Sequence, residues 1–79
     1  MSAETRARGA QLRTYRTLRG WTRDHLAFQA GVSPQAVYDL EIGRRGGLPD
    51  TWIALATALG VPPLALLAVP VSQPTEAAG

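Results

Sequence analysis

The sequence predicts an all-α fold, a compact domain of five short helices followed by a flexible C-terminal tail. Three observations carry that expectation. Apolar residues recur at three- and four-residue intervals in successive segments, the period of an amphipathic helix. These segments are punctuated by hydroxyl or proline residues at their starts and by glycines at their ends. No stretch alternates long enough to argue for a strand, and no internal repeat is visible.

Residues 2–19 read as the first helix, with Leu12, Tyr15 and Leu18 along one face. Gly20 ends it, and Trp21 is placed to plug the space under the turn. Thr22 is the N-cap of a second helix running to about Ala30, and Asp24 in its first turn is favoured by the helix dipole. Gly31 supplies the positive φ of a tight turn. Ser33 and Pro34 then open a third helix, hydroxyl at the N-cap and proline at the first helical position, which runs to about Glu41 and is closed by Gly43. Arg44, Arg45, Gly46 and Gly47 make a basic, flexible loop. A fourth helix starts at Pro49 or Asp50 and ends at Gly60, with Trp52, Leu55, Ala56 and Leu59 as its apolar stripe. A short fifth helix from Pro63 to about Ala68 shows Leu64 and Leu67. The expected division is a domain over 1–68 and a frayed tail over 69–79, where prolines and small polar residues prevail.

Size and composition narrow the function. A chain of 79 residues is one domain with a thin stability margin. It has no cysteine, hence neither a disulfide framework nor a thiolate metal site, which suits the cytoplasm. The N-terminal arginines have no apolar run behind them, unlike a signal peptide. The most apolar segment, Val61 to Val71, is broken by three prolines and falls far short of the ~20 residues that cross a bilayer. Net charge is only +2, yet it is unevenly spread. All eight basic residues are arginines at or before Arg45, so residues 1–46 carry a net +4 and residues 47–79 a net −2. One face for a polyanion and another for packing or self-association is the reading that follows.

Residues 22–43 sharpen it. Leu26, Ala27, Ala30, Val32, Val37 and Leu40 stand where two helices hinged on one glycine must be apolar. Between its apolar positions the second of the pair exposes small and polar side chains. This is a helix-turn-helix, whose second helix fits the major groove of DNA. Gln35, Tyr38 and Asp39 are expected to point away from the Val37/Leu40 stripe. Gln35 is the foremost candidate for base readout, because one amide both donates and accepts toward adenine. Ser33 serves as a cap, a DNA contact, or both. Ala36 is small enough for close approach or for a thymine methyl. Tyr38 either lies along a backbone edge or packs on the helix flank. Asp39, repelled by phosphates, either accepts from a cytosine amino group or pairs with a nearby arginine. The candidate phosphate ligands are Arg23, Arg44 and Arg45, with Arg13 and Arg19 behind them.

With those residues in view, the chain resembles the lambda-repressor-like, or Cro/repressor-type, helix-turn-helix proteins, also called the xenobiotic-response-element family. The resemblance covers Leu12 to Leu67 and rests on residues 12–22 (LRTYRTLRGWT), 25–33 (HLAFQAGVS), 40–45 (LEIGRR) and 54–61 (ALATALGV), in gapless register. It implies a five-helix bundle that binds operator DNA, usually as a dimer. It also implies that Arg16 and Glu41 form a structural pair between the first helix and the end of the third, and that Gln35 stands at a base-contacting position. The sequence departs from the pattern at Pro34, in place of a polar reader, at His25, in place of a capping-box glutamate, and at Ile42 and Leu48-Pro49.

The expected function is therefore a DNA-binding transcriptional regulator. Its expected form is a homodimeric repressor, joined through the C-terminal helix and tail, that reads a near-palindromic operator on double-stranded DNA through residues 34–41. Two alternatives follow from the same resemblance: an antitoxin-type protein-interaction module, and a restriction–modification controller that can also activate. The apolar Val61–Val71 segment suits a homodimer seam, a docking site for a protein partner, or the edge of the core. An enzyme is not expected. There is one histidine, no acid pair placed to share a substrate, and no reason for Ser33, His25 and Asp24 to converge. No metal, cofactor or membrane partner is implied.

Overall fold

The ends of the helices follow the residues that punctuate them. In a computed structural model, which describes residues 3–67, the elements are α1 (Ala3–Leu18), α2 (Arg23–Ala30), α3 (Pro34–Glu41), α4 (Pro49–Leu59) and α5 (Pro63–Leu67). No strand occurs among the described residues. The expected tail over 69–79, and Ala68 at the expected end of the fifth helix, lie outside them.

Thr22 caps α2 by accepting from His25 N, and Ser33 caps α3 by accepting from Ala36 N. At Gly31 the chain takes φ +74°, and the Gly31 amide reaches back to α2 carbonyls, which makes the sharp turn between the two short helices. The α3 end differs slightly from expectation. Ile42 is the cap, in right-handed geometry, and Gly43 takes the positive φ one residue later. Leu48 precedes α4 without a side-chain cap, so that helix starts on its Pro49 alone.

α3 sits between α1 and α2, α2 also packs on α4, and α5 closes the base against α4 and α1. Leu12, Leu26, Val37, Leu40, Trp52, Leu55, Leu59 and Leu66 are fully buried where these helices meet. Two apolar assignments are corrected here. Leu18 is 76% exposed, because α1 ends at that residue and the chain turns away beneath it. In α5 the anchor is Leu66, while Leu64 is 72% exposed. A five-residue helix touching the core edge buries one side only, and Leu64 falls on the other.

One close approach has no counterpart in the sequence pattern. Gly9, in the middle of α1, lies against the carbonyl oxygens of Leu40 and Glu41, and an ideal Cβ there would come within 2.6 Å of Glu41 O. Only glycine lets α1 pass this near to the last turn of α3.

Candidate nucleic-acid interface

α3 is anchored at its far end by charge. Glu41 is buried, its side chain 2% exposed, and it accepts from two arginines. Arg16 Nε reaches Oε2 at 2.6 Å and Arg16 Nη2 reaches Oε1 at 3.2 Å, while Arg23 Nε reaches Oε1 at 3.2 Å. Arg16 Nη1 also donates to Trp21 O at 2.7 Å. A carboxylate this deep is tolerated only when paired and hydrogen-bonded. The cluster joins α1, the α1–α2 turn, α2 and α3 at one point.

The outer side of α3 presents Gln35 most fully. On a 100° wheel it lies almost opposite the Val37/Leu40 direction, with Tyr38 and Asp39 flanking it. Gln35 is exposed, and its Nε2 donates to Asp39 Oδ1 at 3.0 Å. Ser33 is exposed and engaged as the cap, 3.1 Å from Ala36 N. Tyr38 is exposed along one edge, and the Arg23 guanidinium lies 5.0 Å from its ring centroid. Ala36 is half-buried and lines a recess of about 300 Å³ with Leu40, Arg45, Gly47, Leu48 and Thr51, in the angle between α3 and the start of α4.

Asp39 is a correction. Its expected outward placement does not hold, for the residue is 3% exposed. The cover comes from the loop rather than the core. Arg44 N and Arg45 N both donate to Asp39 O, at 2.9 and 3.4 Å, which folds the loop back over the last turn of α3. Their side chains then close on the carboxylate, Arg44 Nη1 at 3.5 Å from Oδ1 and Arg45 Nε at 3.2 Å from Oδ2. Of the two roles the sequence leaves open for Asp39, arginine pairing is the one the fold realises. It also corrects the picture of a loose loop over 44–47, since Trp52 Nε1 holds Gly46 O at 2.8 Å.

The candidate phosphate ligands fall into distinct settings. Arg44 and Arg45 are both more than half exposed and stand beside Gln35's partner Asp39. Arg23 is exposed and shared between Glu41 and Tyr38. Arg13 is exposed on α1. Arg19 is exposed, but its Nη1 donates to Leu59 O at 3.1 Å at the end of α4, and its guanidinium covers Trp21 at 4.7 Å. That engagement cannot be read from sequence, because it joins residues forty positions apart. Leu48 and Thr51, beside α3 in the same recess as Ala36, likewise have no local signal.

His25 is exposed and stands edge-on to Trp21, ring centroids 4.6 Å apart. Among the described residues no group of three His, Cys, Asp or Glu could hold a metal ion, and no helix is long and apolar enough to cross a membrane.

A family model described as a helix-turn-helix domain matches residues 9–69. Among solved structures, the restriction-modification controller protein C.AhdI from Aeromonas hydrophila superposes with a TM-score of 0.81 at 34% identity, over 82% of this chain and 98% of that one. The clp gene regulator ClgR from Corynebacterium glutamicum superposes with a TM-score of 0.77 at 31% identity, over 86% of this chain and 88% of that one. The hypothetical transcription factor NHTF from Neisseria gives 0.77 at 32% identity, over 89% and 84%. No curated protein matches the chain.

Proposed function

The chain belongs to the helix-turn-helix domain family, in its lambda-repressor-like form, and from that premise we propose that it is a sequence-specific DNA-binding regulator, without enzymatic activity, that acts in the cytoplasm as a homodimeric repressor. α3 enters the major groove, and two copies in a dimer read half-sites ~34 Å apart on a near-palindromic operator. Gln35 reads a base edge. Ala36 lies close enough for a thymine methyl, and Ser33 adds a contact at the cap. Tyr38 and Arg23 together line one edge of the groove. Arg44 and Arg45 grip phosphates on the other, with Arg13 and Arg19 as secondary ligands. Residues 1–68 are the DNA-binding unit, and the C-terminal helix and tail supply the dimer contact.

The observation that carries this reading is the outer side of α3. Gln35 stands exposed on an anchored helix, bonded to Asp39, on whose carboxylate two arginines that are more than half exposed also close. A dimer occluding polymerase needs nothing beyond such a domain. A controller that can also activate is the second reading. Its support is C.AhdI, a restriction-modification controller protein of which this chain covers 98%.

Selection of bound duplexes from a random pool tests the proposal. The expected yield is a two-fold-symmetric motif with half-sites about one helical turn apart. Failure to enrich any sequence, together with a stoichiometric complex with another protein, would replace DNA reading by the interaction-module alternative.

A further inference from the structure

We infer that Asp39 is a positioning residue that sets which way the Gln35 amide faces, and thereby makes adenine rather than guanine the base preferred beneath Gln35. The inference rests on the DNA reading proposed above and specifies its chemistry.

The carboxylate of Asp39 offers acceptors only, so the Gln35 amide must turn its NH₂ group toward it. The contact is Nε2 to Oδ1 at 3.0 Å. Asp39 cannot swivel to release the amide. Arg44 holds Oδ1, Arg45 holds Oδ2, and the side chain is 5% exposed. With one N–H spent inward, the free edge of Gln35 carries Oε1 beside the remaining N–H. An acceptor next to a donor complements the N6 donor and N7 acceptor of adenine in the major groove. Guanine offers two acceptors, N7 and O6, and leaves Oε1 facing another oxygen. Asp39 thus acts on base choice without touching a base, through a hydrogen bond made before DNA arrives.

Asp39→Asn is nearly isosteric and removes the constraint. An asparagine can donate to Gln35 Oε1, which admits the flipped amide with its NH₂ outward. The test is random-pool selection with the wild-type chain, Gln35→Ala, Asp39→Asn and the Arg44→Ala/Arg45→Ala double variant. Gln35→Ala identifies the operator position under Gln35. The wild type should favour adenine over guanine there by about fivefold or more, and Asp39→Asn should cut that below about twofold while the other positions keep their preferences. The double variant should bind weakly and show a reduced adenine preference, because it frees the carboxylate to turn from Gln35. A wild-type motif unchanged by Asp39→Asn overturns the inference and leaves the DNA reading intact. A wild type that enriches no sequence overturns both.

A second measurement needs no variant to fold. In the free wild-type protein the side-chain amide protons of Gln35 should exchange with water more slowly than those of Gln29, which is exposed on α2. Equal exchange at the two glutamines overturns the inference.

Discussion

Arg16 and Glu41 are joined by a forked ion pair, Nε to Oε2 at 2.6 Å and Nη2 to Oε1 at 3.2 Å, which ties the last turn of α1 to the far end of α3. Both side chains are nearly sealed from water, and the fork leaves little angular freedom. The aim of α3 depends on it.

Glu41→Gln should therefore destabilise the domain by roughly 3–5 kcal/mol, since it leaves the buried Arg16 without its carboxylate, and Arg16→Met should cost less, because Glu41 keeps Arg23. A domain of this size has only about 4–12 kcal/mol to lose. Urea melts of each variant measure the cost. The Arg16→Met/Glu41→Gln double variant should lose less than the two single losses summed, because no orphaned charge remains between them; strict additivity would mean the pair is energetically uncoupled.

Gly9→Ala should cost about 1–3 kcal/mol, despite alanine's better helix propensity, because the methyl meets the Leu40 and Glu41 carbonyls. Gly46→Ala, where a Cβ meets nothing within 4 Å, is the control and should stay within about 0.5 kcal/mol. A stabilised Gly9→Ala in thermal melts would show that α1 and α3 do not approach this closely.

Arg44→Ala should weaken binding to all duplexes alike and lower the slope of log affinity against log salt by about 1 for each phosphate that Arg44 neutralises. If the protein binds as the proposed dimer with ~6–10 phosphates engaged, the wild type should lose roughly 10³–10⁵ in affinity between 50 and 200 mM salt. Fluorescence anisotropy over a salt series measures both. A change of preferred sequence without a change of slope would make Arg44 a base reader.

Asp39→Asn should raise affinity for random-sequence DNA. The substitution removes a negative charge and releases Arg44 and Arg45 from their carboxylate, so both become available to phosphates. Titration of a scrambled duplex is the check. Unchanged affinity would place Asp39 and its two arginines off the DNA-facing side.

Much of the fold is legible along the chain. The caps at Thr22 and Ser33, the turn at Gly31 and the α4 stripe of Trp52, Leu55, Ala56 and Leu59 all depend on neighbours within one or two turns. Local signals of that kind lie in the sequence itself. Leu18 and Leu64 mislead because periodicity marks an apolar face without showing where a helix stops covering its neighbours. Phe28, on α2, is likewise 82% exposed despite its apolar ring.

The sequence by itself determined an all-helical domain, the position of its helix-turn-helix and the outward place of Gln35, because helical period and end chemistry act within a few residues. Only the tertiary structure decided that Asp39 is covered, that Arg19 is engaged at Leu59 and that Gly9 lets α1 touch α3. Those outcomes depend on how a loop folds back and how closely two helices cross. Such distances are set by the packing of the whole chain and leave no mark on the residues beside them.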